Sequence, residues 1–328
     1  MLRWGIVGFG DIAAKAVAPA IRAHAASELV AICRRDPVAL ERHRQAFDVP
    51  RAFTDYDEML RQARLDAVYV ATPVHLHAAQ TLAALDRGLH VLVEKPMAAT
   101  AAEAEAMVER AEHRGVRLGV AYYHQFIPIN AYVRELVASG ELGELTALHG
   151  NASSSYNPPL DDPKAWRLIR AAGGGGPLMD LGSHRLQTFA SLAGPARQVA
   201  AFGDRRRVAG DVEDVLSLIV NYDSGVQATL SSIWGIDPAR GDYEVWCTEG
   251  YVNVPYARGD ECFVTQNGQR RQETHPAPEL HDLPLIEDFA AAVTHPGGQV
   301  LTGEVGLEVQ RVIDAAYRSA ADGMVVRL

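Results

Sequence analysis

Short apolar runs alternate with helical periodicity through the first third of the chain. Residues 2–8, 28–33, 67–71, 90–94 and 117–122 read as buried strands. Between them, residues 12–24, 37–47, 75–87 and 101–113 carry helical spacing, with one further helical turn at 58–62. Strands apolar on both faces and joined by helices of about three turns indicate a parallel sheet covered on two sides. After Tyr122 the texture changes. A helix over 129–139 leads to a strand near 145–150, then a Pro/Asp/Gly-rich stretch over 153–176 and a helix over 177–192. Period-two segments follow at 215–222, 225–233, 243–247 and 261–266, with Asp223-Ser224-Gly225 as a hairpin turn. Helices over 283–294 and 304–321 close the chain, with Gly323 as the stop signal. The expected fold class is α/β. A doubly wound domain spans 1–122, and an α+β domain with a large, mostly antiparallel, open-faced sheet spans 123–328.

Composition narrows the partners. The chain has 328 residues and a formal net charge of −10, and no cluster of Lys or Arg rises above the background. That excludes a nucleic-acid surface and an anionic membrane as expected partners. No apolar stretch is long enough to span a bilayer. Cys33, Cys247 and Cys262 are too few and too scattered for a disulfide framework or a zinc ribbon, and read as free thiols. The first residues enter a strand at once, so a cytoplasmic location is expected.

Gly8-Phe9-Gly10-Asp11-Ile12-Ala13 fits G-x-G-x-x-A between a strand and a helix. Gly8 suits a tight turn, Gly10 a close backbone approach to a pyrophosphate, and Ala13 close helix–sheet packing. The helix N-terminus offers free N–H groups to the anion. The first domain is therefore expected to be a Rossmann domain holding NAD or NADP. An acidic residue ending the second strand would hydrogen-bond the ribose of NAD; here that place reads Cys33-Arg34-Arg35-Asp36. Two guanidinium groups suit a 2′-phosphate and favour NADP, while the alternative leaves both in solvent and gives the ribose to Asp36.

Ala71-Thr72-Pro73-Val74-His75-Leu76-His77 ends one strand and Glu94-Lys95-Pro96 the next. Together with Gly140-Glu141-Leu142-Gly143-Glu144, Trp166-Arg167, the glycine-rich run from Gly173 to His184, and Val312 to Ser319, these motifs resemble the glucose–fructose oxidoreductase, inositol dehydrogenase and rhizopine catabolism (Gfo/Idh/MocA) family over the whole chain. The resemblance implies an NAD(P)-dependent dehydrogenase or reductase acting on a sugar, polyol or related small molecule, and a homodimer or homotetramer assembled through the second domain. It places Lys95, Asp180 and His184 as catalytic residues. Along the cofactor it places Phe9, Gly10, Asp11, Ile12, Thr72, Pro73, His77, Glu94, Trp166 and Arg167. It also leaves two other functions open: a redox-neutral enzyme with tightly bound cofactor, and a non-catalytic dinucleotide-binding regulator. Retention of Lys95, Asp180 and His184 counts against the regulator.

Two positions depart from the family pattern. Gln187 stands where an acidic residue is common, and Gln125 where an arginine is common. Tyr123 and His124 are expected at the substrate, with Tyr156, Asn157 and Gln187 as further candidates. Asp180 and His184 stand four apart and share a helix face. Histidine suits the proton transfer that accompanies hydride transfer from an alcohol, since its ordinary titration lies near neutrality. Lys95 suits stabilisation of charge on the same oxygen; either Lys95 or His184 is a possible proton acceptor. His75-x-His77 has no evident third ligand, so no metal is expected.

Overall fold

The computed structural model describes residues 1–295 and 301–328, which divide into two compact units: 1–123 with 279–307, and 124–278 with 308–328. The chain first passes from one unit to the other after Tyr123. The return of 279–307 to the first unit was not expected, and its cause is packing. Phe289 of helix α9 (Leu283–Thr294) meets Trp4, with ring centroids 5.4 Å apart. Arg117 donates from Nε to the Ala292 carbonyl at 3.2 Å, and Gly119 bridges Thr302.

The first unit is built on a six-stranded parallel sheet. Its order is β3 (Arg51–Phe53), β2 (Ser27–Cys33), β1 (Leu2–Val7), β4 (Ala67–Val70), β5 (His90–Val93) and β6 (Leu118–Val120). Val7 is in register with Cys33 and Val70, Val70 with Val93, and Val93 with Val120. Five strands thus end level, and the segments after four of them, beginning at Gly8, Arg34, Ala71 and Glu94, open along one edge. The strand order reverses between β1 and β4, which is where a doubly wound sheet presents its ligand crevice. The first helix does not run as a simple α-helix: a π-helical turn, Ala13–Val17, precedes α1 (Ala18–Ala23).

The second unit carries a nine-stranded sheet. The order is β14 (Gln269–Thr274), β13 (Glu261–Gln266), β12 (Gly250–Val254), β11 (Tyr243–Cys247), β7 (Leu145–Ser154), β10 (Gln227–Trp234), β9 (Val215–Tyr222), β8 (Ala196–Asp204) and β15 (Val326–Arg327). All neighbours are antiparallel except β7 and β10. Strands β8, β12, β14 and β15 were not anticipated, because their texts are polar or short and lack a clear alternation. Alternation itself decides the faces of the sheet. Leu216, Leu218, Val220 and Tyr222 point inward, as do Leu230 and Trp234. Phe202 (81% exposed), Ile219, Trp246 and Tyr251 lie on the outer face. The expected helix over 177–192 resolves into a π-helical turn, Leu178–Gly182, running into α8 (Ser183–Ala193).

Candidate active site

In the first unit, the loop after β1 is shaped by close backbone passage. Gly8 has φ +82°, and a Cβ there would meet the Ala71 backbone and Thr72 Cγ2 at 2.7 Å. The chain needs glycine at this point to pass the end of β4. Gly10 is different: a Cβ would meet nothing nearer than the Gly8 carbonyl oxygen at 3.8 Å. Protein packing does not demand glycine at 10, whereas close approach of a pyrophosphate does. The residues therefore fit a dinucleotide. Phe9 is fully buried against His43 and Phe47. Asp11 is exposed and lies 3.6 Å from Lys15, and Ile12 is 45% exposed.

Arg34 is half-buried beside this loop and donates from Nη1 to the Phe9 carbonyl at 2.9 Å. Arg35 is exposed. Asp36 caps α2 (Pro37–Ala46), one carboxylate oxygen accepting from the Val38 and Ala39 amides. Those bonds hold its carboxyl below the ordinary carboxylate range. Such capping ties Asp36 to the helix, and it leaves Arg34 as the charged group at the loop.

Thr72 donates to Gln80 at 2.7 Å, and Pro73 begins the next turn. His77 is 1% exposed, with its ring nitrogens 2.8 Å from the Thr72 carbonyl and 3.0 Å from the Pro96 carbonyl. Burial dominates there and pushes the ring down to about 4, so it is neutral at physiological pH. The ring lies between the two loops that follow β4 and β5. His75 is exposed, and no metal-holding group of His, Cys, Asp or Glu occurs among the described residues.

Glu94 accepts from the Tyr69 hydroxyl at 2.8 Å and from the Lys95 amide at 3.1 Å. Lys95 is half-buried. One residue here escaped the sequence reading. Asp282, 6% exposed, lies close enough to Glu94 to feel its charge. Asp282-Leu283-Pro284 reads as an ordinary helix start, which conceals the neighbour that the fold supplies.

In the second unit, close passage positions the other group of residues. A Cβ on Gly175 would lie 2.0 Å from the Tyr317 hydroxyl, and one on Gly176 1.9 Å from the Glu213 carbonyl. Glu213 accepts from the Gly176 amide at 3.0 Å and from the Tyr317 hydroxyl at 2.8 Å, and Arg170 stands 3.5 Å from it. This clamp sets the start of the π-helical turn that bears Asp180. Arg167 approaches Asp180 at 3.6 Å and covers the ring of Trp166, with 4.5 Å to the centroid, and that of Tyr156 at 5.9 Å. One turn after Asp180, His184 stacks on His124 with centroids 4.0 Å apart and ring planes 12° from parallel. Gln187 donates to Gln125 at 2.9 Å. The two departures from the family pattern are thus partners, a neutral amide pair. Tyr123 and Tyr156 are half-buried and Asn157 is exposed.

Comparison with known proteins agrees with this geometry. The family model described as "Oxidoreductase family, NAD-binding Rossmann fold" matches residues 2–122, and that of the "GFO/IDH/MocA C-terminal domain" matches 130–253. The chain is 33% identical to D-xylose 1-dehydrogenase (NADP(+)) 2 of Haloferax volcanii, covering 100% of both chains. It is 30% identical to 1,5-anhydro-D-fructose reductase of Ensifer adhaerens, covering 100% of this chain and 99% of the other. Aldose-aldose oxidoreductase from Caulobacter crescentus, solved with glycerol, superposes with a TM-score of 0.91 at 29% identity, covering 100% and 99%.

Asp282 yields a pH prediction. Burial first, and the Glu94 charge second, push its carboxyl up to about 7. Between about pH 4 and pH 7 the folded protein holds a proton there that the unfolded chain has released, so this group's stabilising contribution declines as pH rises through that window. Asp282→Asn removes the titration. Urea unfolding at pH 5 and pH 8 should show the wild type losing on the order of a few kcal/mol more than the variant over this interval. Equal losses in the two proteins would refute the assignment.

Proposed function

Because the chain belongs to the GFO/IDH/MocA family of oxidoreductases, we propose that it transfers hydride between NADP(H) and a carbon bearing a hydroxyl or carbonyl group on a cyclic sugar or polyol. The observation that carries this reading is the second unit's cluster: His184 stacked on His124, and Asp180 beside Arg167 over Trp166. These groups offer donors and acceptors beside flat aromatic faces, the combination that a sugar ring's hydroxyls and apolar faces require. Unpaired buried polar groups cost about 1–3 kcal/mol each, so such a site discriminates against apolar alcohols. The xylose and anhydrofructose enzymes among the relatives support the same substrate class.

When bound, a nicotinamide supplies the hydride acceptor in the oxidative direction. His184 then takes the hydroxyl proton at a ring nitrogen, as a general base of suitable ordinary titration range. Asp180, held by Arg167, orients a neighbouring hydroxyl. Lys95 stabilises negative charge on the reacting oxygen. Turnover of a sugar panel, followed by nicotinamide absorbance, checks the proposal, with cyclohexanol-like compounds as controls. His184→Ala and Lys95→Ala should fold, bind cofactor and lose turnover by about 10²–10⁴-fold. Efficient oxidation of apolar alcohols with none of the sugars turned over would overturn the substrate class, and near-normal kcat in His184→Ala would overturn its role.

A second reading, internal hydride exchange between two sugars with retained cofactor, is favoured by one observation: the whole-chain similarity to the aldose-aldose oxidoreductase. Purification with stoichiometric nicotinamide bound would support it.

NADP is preferred in our reading because Arg34 stands at the phosphate loop while Asp36 is engaged in capping. The name of the Haloferax relative includes NADP(+). Titrating the wild type with each cofactor should give tighter NADP binding, and Arg34→Asp should reverse the order by setting a like charge against the 2′-phosphate. Clearly tighter NAD binding by the wild type would refute this.

The outer face of the nine-stranded sheet is the proposed site of homodimer or homotetramer assembly. Leu218, Val220, Leu230 and Trp234 are buried within the chain. The candidates on the outer face are instead Phe202, Ile219, Trp246 and Tyr251. A cytoplasmic location is also proposed. The three cysteines are free, and among the described residues no helix is long and apolar enough to cross a membrane. Light scattering should report an oligomer at micromolar concentration, and Phe202→Asp should weaken it. A wild-type monomer would rule the interface out.

A further inference from the structure

Two side-by-side contacts join the segment Tyr123–Phe126 to helix α8. His124 stacks on His184, and next to them Gln125 accepts from Gln187. His124 and His184 are 9% and 7% exposed, and both glutamines are buried. Each ring is fixed through its backbone. Asn130 donates from one amide nitrogen to the His124 carbonyl at 2.8 Å and to the Ala257 carbonyl at 2.9 Å, and accepts from the Tyr243 hydroxyl at 2.7 Å. Thr188 donates to the His184 carbonyl at 3.0 Å. The stack is therefore built into the unit.

We propose that His124 is a positioning residue for proton transfer: stacked on His184, it makes the two imidazoles one acid–base unit that accepts a single proton and resists a second. This rests on the reading of His184 as proton acceptor. When an alcohol is oxidised, the C–H bond breaks with its electron pair leaving as hydride to the oxidised nicotinamide. The O–H bond breaks with the proton passing to the imidazole pair. A second proton has to enter a ring whose partner, already a cation, lies 4.0 Å away centroid to centroid. Repulsion between unit charges at that separation, at an effective dielectric constant of about 20, weakens the second protonation by about 10³-fold.

Neighbouring elements of the second unit bring further charged and titratable groups. From the turn before α8, Asp180 faces Arg167. On α8 itself, Arg185 lies over the Tyr243 ring and donates to the Gly241 carbonyl. From helix α6 (Pro128–Ala138), Arg134 donates to the Gln125 carbonyl, and the Tyr243 hydroxyl of β11 is committed to Asn130. The adjacent Gln125–Gln187 pair contributes no charge. The stacked partner is the titrating group in direct ring contact with His184.

Histidine NMR titration of the substrate-free protein tests the proposal. Expected in the wild type are two protonation steps at least one pH unit apart, each felt by the resonances of both rings. In His124→Phe, which retains a flat ring, His184 should titrate in one step. The acidic limb of kcat/KM should change from two inflections to one of unit slope. An identical His184 titration in wild type and His124→Phe would overturn the proposal. So would a wild type whose two rings titrate independently, an outcome readable even if the variant does not fold. Because the titration needs no turnover, coupled steps in a protein that oxidises no sugar would support the pair while refuting the substrate reading.

Discussion

Close passage of one backbone segment against another, possible only where a side chain is missing, is the constraint on which the candidate groups within each unit depend. In the first unit Gly8 lies against the end of β4, so the chain leaving β1 turns directly into a helix whose N-terminal amides face the ligand edge. In the second, Gly175 and Gly176 lie against Tyr317 and Glu213, and this contact sets the start of the turn carrying Asp180. A methyl group at any of these positions would meet heavy atoms at 2.7 Å or less. The geometry of the polar groups is inherited from these contacts, since Asp180 and His184 follow the glycine turn and Arg34 follows the strand beside Gly8.

Charge is distributed unequally over this scaffold. The first unit places two carboxylates, Glu94 and Asp282, near one another under partial or full burial. The second pairs Asp180 with Arg167 and lines the neighbouring region with two imidazoles and two amides. A buried ion pair between positions 125 and 187 would carry a desolvation penalty that an amide pair largely avoids. The amide pair keeps the contact between the segment and α8 while leaving the neighbouring histidines without an added fixed charge.

Much of the fold was legible in the residues. The parallel sheet followed from apolar runs spaced by helices, and the phosphate loop from three small residues after a strand. Helix α9 was placed to the residue, because its apolar periodicity is strong and Pro284 marks its start. Polar strands such as β14 escaped, since Arg270, Arg271 and Gln272 show no apolar alternation along the chain, although they pair with β13 in the sheet. Phe9 and His77 illustrate what a motif by itself leaves open. A motif position does not say whether a side chain points at ligand or core, and these two rings turn inward.

The sequence by itself determined most of the order of elements, the family and the reaction class. These depend on local periodicity and on the conformational freedom of single residues, both of which are written along the chain. Only the tertiary structure decided which of those residues meet. It joined Gln125 to Gln187 and His124 to His184 across about sixty positions, set Asp282 near Glu94, and turned Leu218 inward while leaving Ile219 on the outer face. Contacts of this kind follow from how layers stack and strands register, and no local pattern encodes the neighbour that a distant segment will bring.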